Sequence, residues 1–155
     1  MRPLLIAVTC LAFGCKSNHE TERNDSLVEE AKLSARHSEL SAPRPILTVR
    51  SLKASQAYYR DALGFKLDWD HGDPPDFGSV SRSDSQLFLC QGCQGTPGSW
   101  MMIFTRDVDK LHEELVSRKA RIKMPPTNMP WGLREMQVED PDGNVIRFGS
   151  AIPED

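Results

Sequence analysis

The sequence predicts an α+β fold made of two βαβββ modules in tandem, whose sheets together form a half-open cup. Three observations carry this. The order strand, helix, three strands occurs twice between residues 45 and 150. An offset of 56 superposes the halves, with Val49 on Thr105, Leu52 on Val108, Tyr59 on Leu115 and Gly64 on Ala120, so an internal repeat is the economical explanation. Each half also has one helix, enough to cover a single face of its sheet. The other face is left to line the cup.

The first module opens on Ile46-Leu-Thr-Val-Arg50, which is rich in β-branched and aliphatic residues. Ser51 then caps a helical pattern that runs to Leu63, with Gly64 closing it. Strand patterns follow at Phe65–Trp69, Phe77–Arg82 and Gln86–Cys90, separated by Asp-Pro-Pro-Asp and Ser-Asp-Ser turns. After Gly95-Thr-Pro-Gly98 the cycle restarts. Trp100–Thr105 is a strand and Asp107 caps a helix to Lys119. Ala120–Met124 is a strand expected to stop at Pro125-Pro126, and Leu133–Glu139 with Asn144–Gly149 makes a hairpin around Asp140-Pro-Asp-Gly143.

That hairpin identifies its own faces. A register that sets Met136 opposite Phe148 and Val138 opposite Ile146 puts four apolar side chains on one face, suited to lie under a helix. Glu135, Gln137, Val145 and Arg147 then point into the cup, with Arg147 across from Gln137 and diagonal to Glu135, within reach of an ion pair. A slip by one residue would mix the faces.

Nineteen basic against twenty-two acidic residues in 155 give a net charge of −3 and a pI near 5.8. Such a balance lacks the basic footprint of a nucleic-acid binder. Composition also divides the chain. Residues 1–14 combine Arg2, an apolar run from Leu4 to Phe13 and Gly14, the pattern of a secretory signal, and ten apolar residues are too short to span a membrane. Leu11-Ala-Phe-Gly-Cys15 resembles the lipobox of bacterial lipoproteins. The resemblance implies lipidation of Cys15 and an exported protein held at a membrane of the cell envelope by its lipid alone. Residues 15–44 read as a polar tether containing a frayed helix, 45–150 as the folded domain and 151–155 as a tail.

Pro45-Ile-Leu-Thr-Val-Arg-Ser-Leu-Lys-Ala-Ser-Gln-Ala-Tyr-Tyr-Arg-Asp-Ala-Leu-Gly-Phe65 resembles the opening of the vicinal-oxygen-chelate superfamily of glyoxalases, extradiol dioxygenases and bleomycin-resistance proteins. Pro130-Trp-Gly-Leu-Arg-Glu-Met-Gln-Val-Glu-Asp-Pro-Asp-Gly-Asn-Val-Ile-Arg-Phe-Gly149 is similar to the closing segment of the bleomycin-resistance branch. The resemblance implies homodimers with cups near the subunit interface. Enzymes of the superfamily hold a divalent metal through four cup-facing side chains. By this resemblance those positions are Arg44, Phe88, Trp100 and Arg147, two cations and two aromatic rings, so no metal and no other cofactor is expected. His19 and His37 fall in the tether, His71 in a loop, and His112 at the boundary of the second helix.

The remaining cup residues suit a small-molecule binder: Phe88, Trp100, Met102, Phe104, Trp131, Glu135, Gln137 and Arg147. Asp68, Asp70, Asp73 and Asp76 are candidates for an acidic rim facing a cationic drug. Cys90-Gln-Gly-Cys93 permits a disulfide only if the chain turns at Gly92, and the pair is left open between a disulfide and free thiols, with redox chemistry a poor third. The expected function is metal-independent binding and sequestration of a small molecule, by analogy a bleomycin-type antibiotic. The alternatives are an enzyme of the same fold, a glyoxalase-like lyase or isomerase or a dioxygenase relative, with Glu135 as base, and a non-catalytic interaction module.

Overall fold

Each module starts on a short strand, β1 (Ile46–Val49) or β5 (Trp100–Phe104), and turns into a helix, α1 (Leu52–Asp61) or α2 (Val108–Ser117). The N-terminal caps are the expected ones, whereas the first helix closes at Ala62, before Gly64. Ser51 Oγ accepts from the Ala54 N–H at 3.4 Å, and Asp107 Oδ1 accepts from the N–H groups of Asp109 and Lys110 at 3.1 and 3.0 Å. Three strands complete each module: β2 (Lys66–Gly72), β3 (Pro75–Arg82) and β4 (Ser85–Gln91) in the first, β6 (Ile122–Asn128), β7 (Leu133–Glu139) and β8 (Val145–Ala151) in the second. The offset of 56 carries α1 onto α2 and β2 onto β6 residue for residue. This computed structural model describes residues 42–93 and 95–153, so the signal segment, Cys15 and most of the tether lie outside the described residues.

The two mixed sheets repeat one topology, β1-β4-β3-β2 and β5-β8-β7-β6, with the first strand of each module parallel to the last. The β7–β8 register pairs Met136 with Phe148 and Gln137 with Arg147, as the apolar pattern required. Several strands run past their expected limits, β2 to Gly72, β8 to Ala151 and β6 furthest of all. β6 does not stop at Pro125-Pro126 but continues through both to Asn128. It is an edge strand with register irregularities on either side of Met124, where missing proline N–H groups cost no ladder bond. The β2–β3 turn also tightens around Asp73-Pro74, joined by a cis peptide.

The helix-covered faces of both sheets merge into one core, in which Leu52, Tyr59, Leu63 and Leu89 of the first module meet Leu115, Met136, Val138 and Ile146 of the second. Full burial of such side chains is worth roughly 1.5–3 kcal/mol each. That sum, rather than any ion pair, holds the modules together. The Asp140-Pro-Asp-Gly-Asn144 loop then fixes their alignment. Buried Asp140 accepts from the Asp142 and Asn144 N–H groups, each at 2.8 Å, and from Tyr59 Oη at 3.2 Å. Asp142 takes Arg50 Nε and Ser55 Oγ, both at 2.8 Å. The motif that carries the clearest family likeness is therefore a structural clamp between modules, remote in role from the cup.

Candidate functional site

With the cores on one side, each sheet turns its other face outward as half of a cup. On the second sheet, alternation along β5 sends Trp100, Met102 and Phe104 to this face, where they pair in register with Val145, Arg147 and Gly149 of β8. The end of the Met102 side chain lies over Gly149, in the space a Cβ would fill, so a larger residue there would have to displace it. β7 contributes Glu135 and Gln137 to the same face.

The anticipated ion pair is present and more elaborate than expected. Glu135 is only 1% exposed although it sits on the open face. Its Oε2 accepts from Arg147 Nε at 3.0 Å and from Arg147 Nη2, while its Oε1 accepts from Trp131 Nε1 at 2.6 Å. The Trp131 ring in turn lies over the guanidinium, 5.5 Å from its carbon, a cation–π contact. Three donors thus satisfy a carboxylate that would be costly to bury alone. Glu135 presents no free lone-pair face to the cup, which disfavours its use as a general base. Arg147 Nη1 has no acceptor among the described residues, so part of its fork remains for a ligand.

Lys123, on β6, crosses the sheet to lie 5.9 Å from the Trp100 ring centre and 3.3 Å from Glu139 Oε1. The apolar rings here stand in the open, with Trp100 58%, Trp131 59% and Phe104 70% exposed. Phe104 belongs less to the cup than expected. It ends β5 opposite Gly149 and borders a separate cleft of about 160 Å³, with Phe65, Arg82 and Leu111, between the modules.

Phe88 occupies the open face of the first sheet, as predicted, but not beside the residues named with it. It packs against Trp69 and Phe77 with ring centres 5.3 and 5.5 Å apart, and Trp69 meets Phe77 at 5.6 Å. An irregularity at Asp68 hides Trp69 from the alternation of β2, whereas Phe77 shares the face of Ser79 and Ser81 by the unbroken alternation of β3, a signal the sequence does carry. The Trp69 indole N–H is buried without a hydrogen-bond partner. Beside this floor Asp68 accepts from Ser79 Oγ at 2.9 Å and Ser81 Oγ at 2.7 Å. The expected acidic rim is divided. Asp70 turns to the helix side and accepts from Gln56, while Asp73 and Asp76 lie exposed at the hairpin tip.

Cys90 and Cys93 are joined, with Cα atoms 5.7 Å apart, and Gly92 at φ +76° makes the turn the bond needs. The four positions that would hold a metal do not fit one. Arg44 donates to Gln86, Arg147 is committed to Glu135, and Phe88 and Trp100 offer no lone pair. Among the described residues no three His, Cys, Asp or Glu side chains gather as a metal-ligating group, and no helix is long and apolar enough to cross a membrane.

Comparison with known proteins agrees with this geometry. A family model described as glyoxalase superfamily protein matches residues 36–154. Among solved structures, the bleomycin-binding protein of Streptomyces verticillus, crystallised with copper(II)-bleomycin, is 28% identical, with a TM-score of 0.60 over 74% of this chain and 98% of that one. TioX from Micromonospora sp. ML1 (17% identity, TM-score 0.62, 72% and 100% of the two chains) shares the fold. So does a lactoylglutathione lyase from Agrobacterium tumefaciens (18%, 0.60, 73% and 96%). No curated protein matches the chain.

Proposed function

This chain belongs to the glyoxalase superfamily, and from that premise and the geometry of its open faces we propose that it binds and sequesters a small molecule without a metal. The observation that carries the reading is the second sheet's face: a guanidinium fixed by a buried carboxylate, flanked by exposed Trp100 and Trp131. Preorganised polar groups among apolar walls suit ligand binding, because the entropy of fixing them is already spent in folding. Bleomycin-type drugs are the first ligands to try, given the likeness to the bleomycin-binding protein.

A second copy of the chain completes the cup. The hydrogen bonds that join the modules within one chain, Arg50 and Ser55 to Asp142 and Arg82 to Glu114 among them, come from the helix side. They leave the edge strands β1 and β5 with Ile46, Trp100 and Phe104 exposed. Juxtaposing the first sheet of one copy with the second sheet of another covers this apolar edge. Export and a lipid on Cys15 remain part of the proposal, placing the domain at an envelope membrane surface.

A thermal-shift screen of the full chain against glycopeptide drugs and small metabolites tests the reading. A true ligand at a hundred times its Kd adds about 2.7 kcal/mol, on the order of 10 °C for a domain this size. Trp100→Ala is expected to erase most of that shift while lowering the unliganded Tm only slightly. A retained shift in this variant would overturn the site.

A further inference from the structure

The ligand that this face is built to take is, we infer, a planar aromatic carboxylate or a similar aromatic anion; the inference rests on the small-molecule reading above. The carboxylate acceptors on this face are already spent. Glu135 takes three donors, and Glu139 takes Lys123 at 3.3 Å and Arg121 at 3.4 Å. Neither carboxylate is left to receive a ligand's ammonium group. What remains is donor capacity. Arg147 uses Nε and one N–H of Nη2 on Glu135, and its Nη1 group and the other Nη2 N–H have no acceptor among the described residues. Gln137, directly across from Arg147, makes no side-chain hydrogen bond among the described residues either.

The free edge of a guanidinium is a planar fork that matches a carboxylate through two parallel N–H···O bonds. Glu135 lies on the adjacent Nε/Nη2 edge, so an anion at the Nη1/Nη2 edge is nearer the positive than the negative member of the pair. The pairing also fixes the fork's orientation, and the side chain is 31% exposed, partly desolvated before any ligand arrives. Lys123, beside the Trp100 ring, adds a second positive charge on the same face. The body of the ligand follows from the flanks. Trp131 and Trp100 offer open ring faces and Met102 a polarisable side chain beside Arg147 in register. A ring system carrying a negative group meets both requirements, and a cationic drug meets only one.

Three probes of one shape separate the possibilities by calorimetry on the full chain: 2-naphthoate, 2-naphthamide and 2-naphthylmethylammonium. The naphthoate is expected to bind at least tenfold more tightly than the amide, and the ammonium most weakly. Arg147→Gln is expected to bring naphthoate and amide within about twofold of each other. Because that change strands Glu135, the pair Glu135→Gln with Arg147→Gln provides a second, charge-free version in which the preference must also vanish. Lys123→Met should reduce naphthoate affinity a few-fold and leave the amide unchanged. If the amide or the ammonium equals the naphthoate, or the preference survives loss of Arg147, the anion assignment fails while small-molecule binding stands. If no probe binds and the thermal-shift screen is also blank, both fail together.

Discussion

On the first sheet the open face carries Trp69, Phe77 and Phe88 packed ring against ring, with Asp68 held by two serine hydroxyls. On the second sheet the corresponding face carries Trp100 and Trp131 standing free of other rings, around a guanidinium and a buried carboxylate. The two faces share a topology and a helix pattern at a fixed offset, yet one is an apolar floor and the other a charged, exposed platform. The difference shows what a repeat preserves. Helix-side residues are constrained by a common core, whereas cup-side residues answer only to what enters the cup.

The largest expected effect breaks the second face. Arg147→Met leaves Glu135 buried without its cation, with only the Trp131 N–H still donating to it, and should cost about 3–5 kcal/mol in denaturant unfolding. Replacing the pair together, Glu135→Leu with Arg147→Met, should restore most of the loss. A small cost for the single change would mean that Glu135 reaches water and the triad is not built as described.

A smaller contrast sharpens the comparison of rings. Phe88→Ala removes a ring packed against two others and is expected to cost about 2–4 kcal/mol. Trp100→Ala removes a largely solvated one and should cost less than about 1 kcal/mol. Equal costs by thermal denaturation would erase the distinction between floor and platform.

The smallest effect concerns the clamp that aligns the two halves. Burial alone would raise the Asp142 carboxyl, but donation from Arg50 and Ser55 outweighs it and holds the pKa below the usual carboxylate value. A carboxyl lowered on folding contributes stability above its unfolded pKa of about 4, and loses it as pH falls through the folded value. Stability measured between pH 6 and pH 2 should therefore decline less steeply in Asp142→Asn than in the parent chain. With Arg50 mostly exposed, the difference is expected to be below about 1 kcal/mol.

Much of this architecture was legible in the residues themselves. Period-two alternation in β7 and β8 admitted one register that kept Met136, Val138, Ile146 and Phe148 together, and that register placed Arg147 within reach of Glu135. Ser51 and Asp107 marked the helix starts because an N-terminal turn needs a side-chain acceptor. Gly92 was the one position at which Cys90 and Cys93 were able to meet. Other features were not local. The irregularity at Asp68 moves Trp69 to the cup face, and the alternation of β2 contains no sign of it. β6 tolerates Pro125-Pro126 because it is an edge strand, a fact of sheet order and not of its own sequence. The bond from Trp131 to Glu135 depends on how the chain enters β7, and the free fork of Arg147 on which neighbours had already claimed its other donors. Periodicity and capping act over a few residues and so are written in the chain. Partner saturation and strand position are set by segments far apart in sequence, and only their packing decided them.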